Sequence, residues 1–186
     1  MKREIEVKIK IENIDEIREK ILSIGAKFIG KEKQVDEYFD FEDDKLRRED
    51  KAIRIRNKKI LAYKTNSLKE DGMKKVDETE FELQDYEGFI TLLHGMGLKK
   101  SFLKEKERES FEIEKTKIEI DILPFGKFVE IEGNEENINK ISEQLGFDKN
   151  QFIPNSYKTL YEKYCEEKNI ENKKEIKFEN ENNNWK

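Results

Sequence analysis

The sequence predicts an α+β fold: an antiparallel sheet with one apolar face and one charged face, covered on its apolar side by three short amphipathic helices. Three observations predict it. Stretches of β-branched residues alternate with charged residues at a period of two, the mark of a strand with unlike faces. Three times a pair of glutamates one residue apart (Glu4 and Glu6, Glu80 and Glu82, Glu130 and Glu132) stands on such a stretch, followed by a helical pattern closed by Gly25, Gly97 or Gly146. The length, 186 residues with 34% hydrophobic and 44% charged, fits a single domain with a thin core.

The elements follow in order. Arg3 to Glu12 alternates over ten positions with Ile5, Val7, Ile9 and Ile11 on one face. Asn13 then precedes Ile14, Ile17, Ile21 and Ile24, with Glu16 three residues on, which reads as a capped helix ended by Gly25. Strand alternation resumes at Phe28 and Ile29, at Val35 to Phe41, at Ile53 to Arg56 and at Ile60 to Lys64, with Asn57 to Lys59 as a hairpin turn. Asp43 to Lys51 and Ser67 to Asp77 read as charged loops. A strand at Glu78 to Leu83 leads into a helix from Asp85 carrying Tyr86, Phe89, Ile90, Leu93 and Met96. Further strands at Lys104 to Glu114, Lys117 to Ile122 and Phe128 to Glu132 precede a third helix near Glu135 to Leu145. The segment 1–165 is expected to form the domain. Residues 166–186, rich in glutamate, lysine and asparagine without an apolar period, are expected to be a disordered tail in which Trp185 changes nothing.

Parity groups the charges. Glu4, Glu6 and Lys8 share a face, as do Arg54 with Arg56, Lys106 with Arg108, Glu119 with Asp121, and Glu130 with Glu132. An open sheet with its charged face in water gives this pattern; so does a sheet closed into a barrel, whose charged face becomes a lumen. A lumen of both signs has a chemical use. Carboxylates suit hard divalent cations and Lys and Arg suit phosphate oxygens, so together they suit a metal-bound polyphosphate.

Other chemistries are poorly supplied. The 38 Lys and Arg against 43 Asp and Glu, a net charge of −5, argue against a nucleic-acid coat. Cys165 is the sole cysteine and His94 the sole histidine, so no disulfide, cysteine zinc site or multi-histidine centre is assembled within the chain; both read as structural. No phosphate-loop or dinucleotide glycine motif occurs. No signal peptide and no membrane-spanning stretch is legible, so a cytoplasmic protein without membrane or nucleic-acid partners is expected.

The motifs, in order, are Glu4 to Lys8 (E-x-E-x-K), Gln34 to Asp40, Ile53 to Arg56, Tyr63 with Lys64, Lys106 to Arg108, Gly126 to Glu132, and Ser156 with Tyr157. Over residues 3–164 this series resembles the CYTH superfamily of triphosphate tunnel metalloenzymes, and in particular its class IV adenylate cyclase branch. The resemblance implies a closed eight-stranded antiparallel β-barrel with helices packed outside. It further implies a triphosphorylated small molecule such as ATP, tripolyphosphate or thiamine triphosphate, bound with Mg²⁺ or Mn²⁺ and cleaved by cyclisation or hydrolysis, with a non-catalytic sensor as the other outcome. By position, it makes Glu4, Glu6, Asp121, Glu130 and Glu132 metal ligands. Lys8, Arg54, Arg56, Lys64, Lys106, Arg108 and Lys158 become phosphate contacts, Lys8, Tyr38 and Lys158 catalytic groups, and Glu80 and Glu82 supports for the basic side chains. A monomer and a homodimer both remain open. Leu123 to Gly126 departs from the family pattern by an aromatic, Phe125, expected at the tunnel mouth.

Overall fold

The structure is a computed structural model that describes residues 1–179. Eight strands form it: β1 (Lys2–Ile11), β2 (Lys27–Asp40), β3 (Ala52–Arg56), β4 (Ile60–Glu70), β5 (Met73–Glu82), β6 (Lys99–Ile113), β7 (Thr116–Leu123) and β8 (Gly126–Glu132). They run around the barrel as β1-β5-β4-β3-β2-β6-β7-β8, every neighbouring pair antiparallel. The ring is closed by β2 on β6, paired from Lys27 opposite Glu112 to Asp40 opposite Lys99 with register shifts between Phe28 and Gly30 and between Tyr38 and Phe39. Of the two readings of the alternation, the closed barrel is therefore the one realised, with no strand edge left along that seam.

Helices lie on the apolar outer face. α1 (Ile14–Ser23) and α4 (Glu135–Gln144) bury Ile17, Ile21, Ile138 and Ile141 against Val7, Ile9, Ile118, Ile120, Val129 and Ile131. Each such side chain, fully buried, contributes about 1.5–3 kcal/mol. α3 (Tyr86–Gly95) covers a second cluster around Phe39, Ile55 and Leu98. Asn13, Asp85 and Asn134 cap these helices by accepting first-turn amides.

Strand direction defines two ends. At the lower end β1, β2, β4 and β7 finish and β3, β5, β6 and β8 begin. There α5 (Tyr157–Lys168) packs across the opening. Phe102, Leu123 and Phe128, which continue the inward parity of Lys104, Asp121 and Glu130, cluster with Tyr157 from α5. Phe125 contacts Phe128, Tyr161 and Tyr164 at ring distances of 5.7, 5.5 and 5.8 Å, so this departure from the family pattern fastens α5 to the barrel.

Three expectations need correction. Ser67 to Asp77 is not a loop: β4 and β5 run through it and turn at Asp71 and Gly72, both with positive φ. The loop after β2 contains a four-residue helix, α2 (Lys45–Arg48), whose first amides bond to Asp40. The tail is ordered in its first part. Residues 166–168 complete α5, and β9 (Glu175–Ile176) pairs in parallel with β6, burying Ile176. Trp185 and the rest of 180–186 lie outside the described residues.

Candidate active site in the barrel lumen

Because side chains alternate across each strand, the inward set of all eight strands meets in one cavity of about 500 Å³. Its lining carries thirteen Lys and Arg against nine Asp and Glu. The lumen is therefore basic inside an acidic protein.

The cations are fixed by carboxylates set behind them. Asp121 is fully buried and accepts from Lys106 Nζ at 2.9 Å, Arg108 Nε and Nη2 at 2.6 Å each, and the Tyr157 hydroxyl at 2.8 Å. Burial acts to raise its pKa, but Arg108 and Lys106 hold it below the ordinary range. Asp36, equally buried, takes Arg56 Nε at 2.7 Å and Lys104 Nζ at 3.0 Å. Buried charges persist only when paired in this way.

Other wall positions pair side by side. Lys8 meets Glu130 at 2.6 Å and lies 4.4 Å over the Tyr157 ring. Arg108 also bonds Glu130 and Glu119. Lys74 bonds Glu6 at 2.9 Å, and Glu132 meets Lys2 at 3.2 Å and Lys117 at 3.6 Å. Lys64 bonds Glu78. Arg54 bonds Glu80 at 2.8 Å and Glu78 at 3.3 Å, while its buried Nε has no partner. Lys158 stands over Phe102 at 5.2 Å and has no carboxylate partner among the described residues.

Titration follows from this packing. Burial and the Arg108 guanidinium push the Lys106 ammonium down to about 7. Burial and Arg47 lower Lys158. Glu4 is pushed up to about 8 by burial and by Glu78, with which it shares a hydrogen bond, while that hydrogen bond, Lys64 and Arg54 bring Glu78 down to about 2 against its own burial. Burial acts to raise Glu6, but Lys74 overrides it and brings it to about 2.

Lys8, Arg54, Arg56, Lys64, Lys106, Arg108 and Lys158 thus line one cavity with Tyr38, Glu4, Glu6, Glu80, Glu130 and Glu132. Two residues depart. Asp121 lies behind the lining, its oxygens occupied by four donors, so the structure makes it an anchor of cations. Glu82 is exposed and outside the lining; Glu78, two residues earlier, takes the place beside Glu80. Lys74, Lys104, Glu78 and Glu119 are lumenal residues that the motif reading did not select. Lys104 and Glu119 shared parity with selected residues, whereas Lys74 fell in the supposed loop.

The donors fit a hard divalent cation in kind, since every acidic group is an oxygen ligand. Glu78, paired with Arg54 and Lys64, also shares a proton with Glu4. Among the described residues no three Asp, Glu, His or Cys side chains converge on one point. That suits Mg²⁺ or Mn²⁺, which are commonly held by one or two carboxylates together with substrate phosphates.

Comparison with known proteins agrees with the barrel. A candidate adenylate cyclase of Methanocaldococcus jannaschii is 30% identical over 172 residues, covering 84% of this chain and 97% of its own. A solved Pyrococcus horikoshii structure superposes with a TM-score of 0.68 at 31% identity, covering 83% of this chain and 96% of that one. A Hippeastrum protein, described as a candidate adenylyl cyclase with a dominant triphosphatase activity, superposes with a TM-score of 0.62, covering 94% and 100%; at 18% identity it shows the fold alone. The CYTH domain model itself matches residues 2–157, which hold all eight barrel strands, and the chain belongs to that family.

Proposed function

We propose that this barrel is a divalent-metal-dependent enzyme that cleaves a triphosphorylated small molecule held in the lumen. One observation carries the reading. The excess of cations in the lining, anchored from behind by Asp36 and Asp121, offers charge and donors to a polyanion without needing rearrangement. Arg54 and Arg56 supply forked donors to phosphate oxygens, while Lys8, Lys64, Lys104, Lys106, Lys158 and Arg108, whose fork is held by Asp121, supply charge. Of Glu4, Glu6, Glu130 and Glu132, one or two together with the substrate phosphates would hold Mg²⁺ or Mn²⁺. The bound ion supplies charge neutralisation on the phosphoryl oxygens. Glu80 and Glu78 orient Arg54 and Lys64. Tyr38, within 3.4 Å of Lys104 Nζ, and Lys158 border the cavity near α5, where a proton can be exchanged with the reacting hydroxyl or leaving group.

Attack of the substrate 3′-hydroxyl on the α-phosphorus of ATP gives cyclic AMP and pyrophosphate. Attack of water on the terminal phosphorus gives phosphate. The named relative inclines the reading toward the cyclase, and product analysis decides it. Purified protein is incubated with ATP, tripolyphosphate or thiamine triphosphate and Mg²⁺ or Mn²⁺, and the products are separated. Cyclic AMP with pyrophosphate supports the cyclase, and phosphate release the phosphohydrolase. Metal-dependent binding without turnover leaves only a sensor, and no binding of any triphosphate overturns the proposal.

A further inference from the structure

The CYTH match ends at residue 157, and below the middle of the barrel so does the pairing that would close one seam. β7 pairs with β6 only from Ile113 opposite Thr116 to Glu107 opposite Ile122, although β6 begins at Lys99. Residues 99–106 therefore have β2 on one edge and no β7 on the other. An edge left open there gives water and other strands a way to Lys104 and Lys106.

The chain covers that edge with its own C-terminal segment. α5 ends at Asn169 in the left-handed conformation, φ 54°, with the Asn169 and Ile170 amides bonded back to Glu166 and Cys165 carbonyls. The chain then reverses, and β9 pairs with Leu103 and Lys104, the Leu103 amide donating to the Lys174 carbonyl at 3.2 Å. Neighbours in a sheet share a face, so Ile176, opposite Lys104, points to the inner side. It is 1% exposed and packs in the cluster of Phe102, Leu123, Phe128 and Tyr157. Phe102 and Tyr157 are the members of that cluster that line the cavity, and Tyr157 is the one set against three of its lysines. Its ring faces Lys8, Lys104 and Lys106 at 4.4, 5.1 and 5.5 Å, and its hydroxyl bonds Asp121.

We propose that residues 170–179 are a strap that closes the β6–β7 seam and holds α5 against the barrel, with Ile176 as a positioning residue that acts on the lumenal lysines through Tyr157. The strap stands on the packing alone; its effect on phosphate binding rests on the function proposed above. A carboxylate in place of Ile176 has no partner in that apolar cluster and is expelled, lifting β9 and loosening α5. Valine keeps the strap seated.

Hydrogen exchange read by mass spectrometry on the full chain, with no substrate or metal, tests the strap. In Ile176→Asp the amides of 157–168 and 103–106 are expected to exchange about tenfold or more faster, with β1, β4 and β5 unchanged and Ile176→Val close to the parent. Tripolyphosphate binding without metal is expected to weaken about fivefold or more in the Asp variant alone. Unchanged protection of α5 overturns the strap, as does a loss of protection spread over all strands. Unchanged binding beside a loosened α5 overturns the positioning role. A parent that binds none of tripolyphosphate, ATP and thiamine triphosphate, with or without Mg²⁺, fails the proposed function, and the exchange result still decides the strap.

Discussion

Glu4 and Glu78 share one proton, and the sign of its effect on stability is fixed by which way Glu4 moves. Its folded pKa, pushed up to about 8 from an ordinary 4.5 by burial and by Glu78, makes the folded state bind the proton more tightly than the unfolded chain does. The contribution is fully present below pH 4.5, declines as pH rises, and is gone above about 8. Glu4→Gln does not titrate. In metal-free protein its melting temperature relative to the parent should therefore climb between pH 5 and pH 8 and then level off; a constant difference across that range would contradict the shared proton. Asp121 teaches a different lesson at the same scale. Parity assigned it correctly to the inner face, but parity does not reveal a partner, and only the fold shows Lys106, Arg108 and Tyr157 consuming its oxygens.

At the scale of elements, legibility followed burial. β1 was read to within a residue of its observed bounds, because its outer face rests on α1 and α4 while its inner face is charged. The helices were legible from caps. Asn13 Oδ1 accepts the Asp15 and Glu16 amides at 3.1 and 3.3 Å, so Asn13→Ala should destabilise the protein by about 1 kcal/mol, measured by urea unfolding. The β4–β5 hairpin was illegible for a physical reason. Between Lys64 and Glu78 the inner face is a charged lumen and much of the outer face meets solvent, so both faces are polar, the period of two vanishes, and Lys74 is lost with it. A register shift between Thr65 and Leu68 blurs the pattern further. The start of β2 was obscured likewise, with Lys31, Glu32 and Lys33 all exposed. The tail misled through composition: two isoleucines among charged and asparagine residues give no period, yet one of them, Ile176, suffices to dock a strand.

For the whole molecule, charge is segregated. A chain of net charge −5 encloses a cavity whose lining has a cation excess, so a polyanion is repelled at long range and attracted only once inside. Salt screens both terms, but lumenal pairs less than surface ones. Tripolyphosphate affinity measured by calorimetry should accordingly fall by about tenfold between roughly 0.05 and 0.5 M salt, and a flat response would show that the lumenal cations do not do the holding. The closure of β2 on β6 carries a consequence for how the molecule comes into being. Its register joins Lys27 to Glu112, and the lumenal pairs Lys8 with Glu130 and Glu6 with Lys74 likewise join distant parts of the chain. Pairing between such distant parts of the chain makes folding slow, a matter of roughly milliseconds to seconds rather than microseconds.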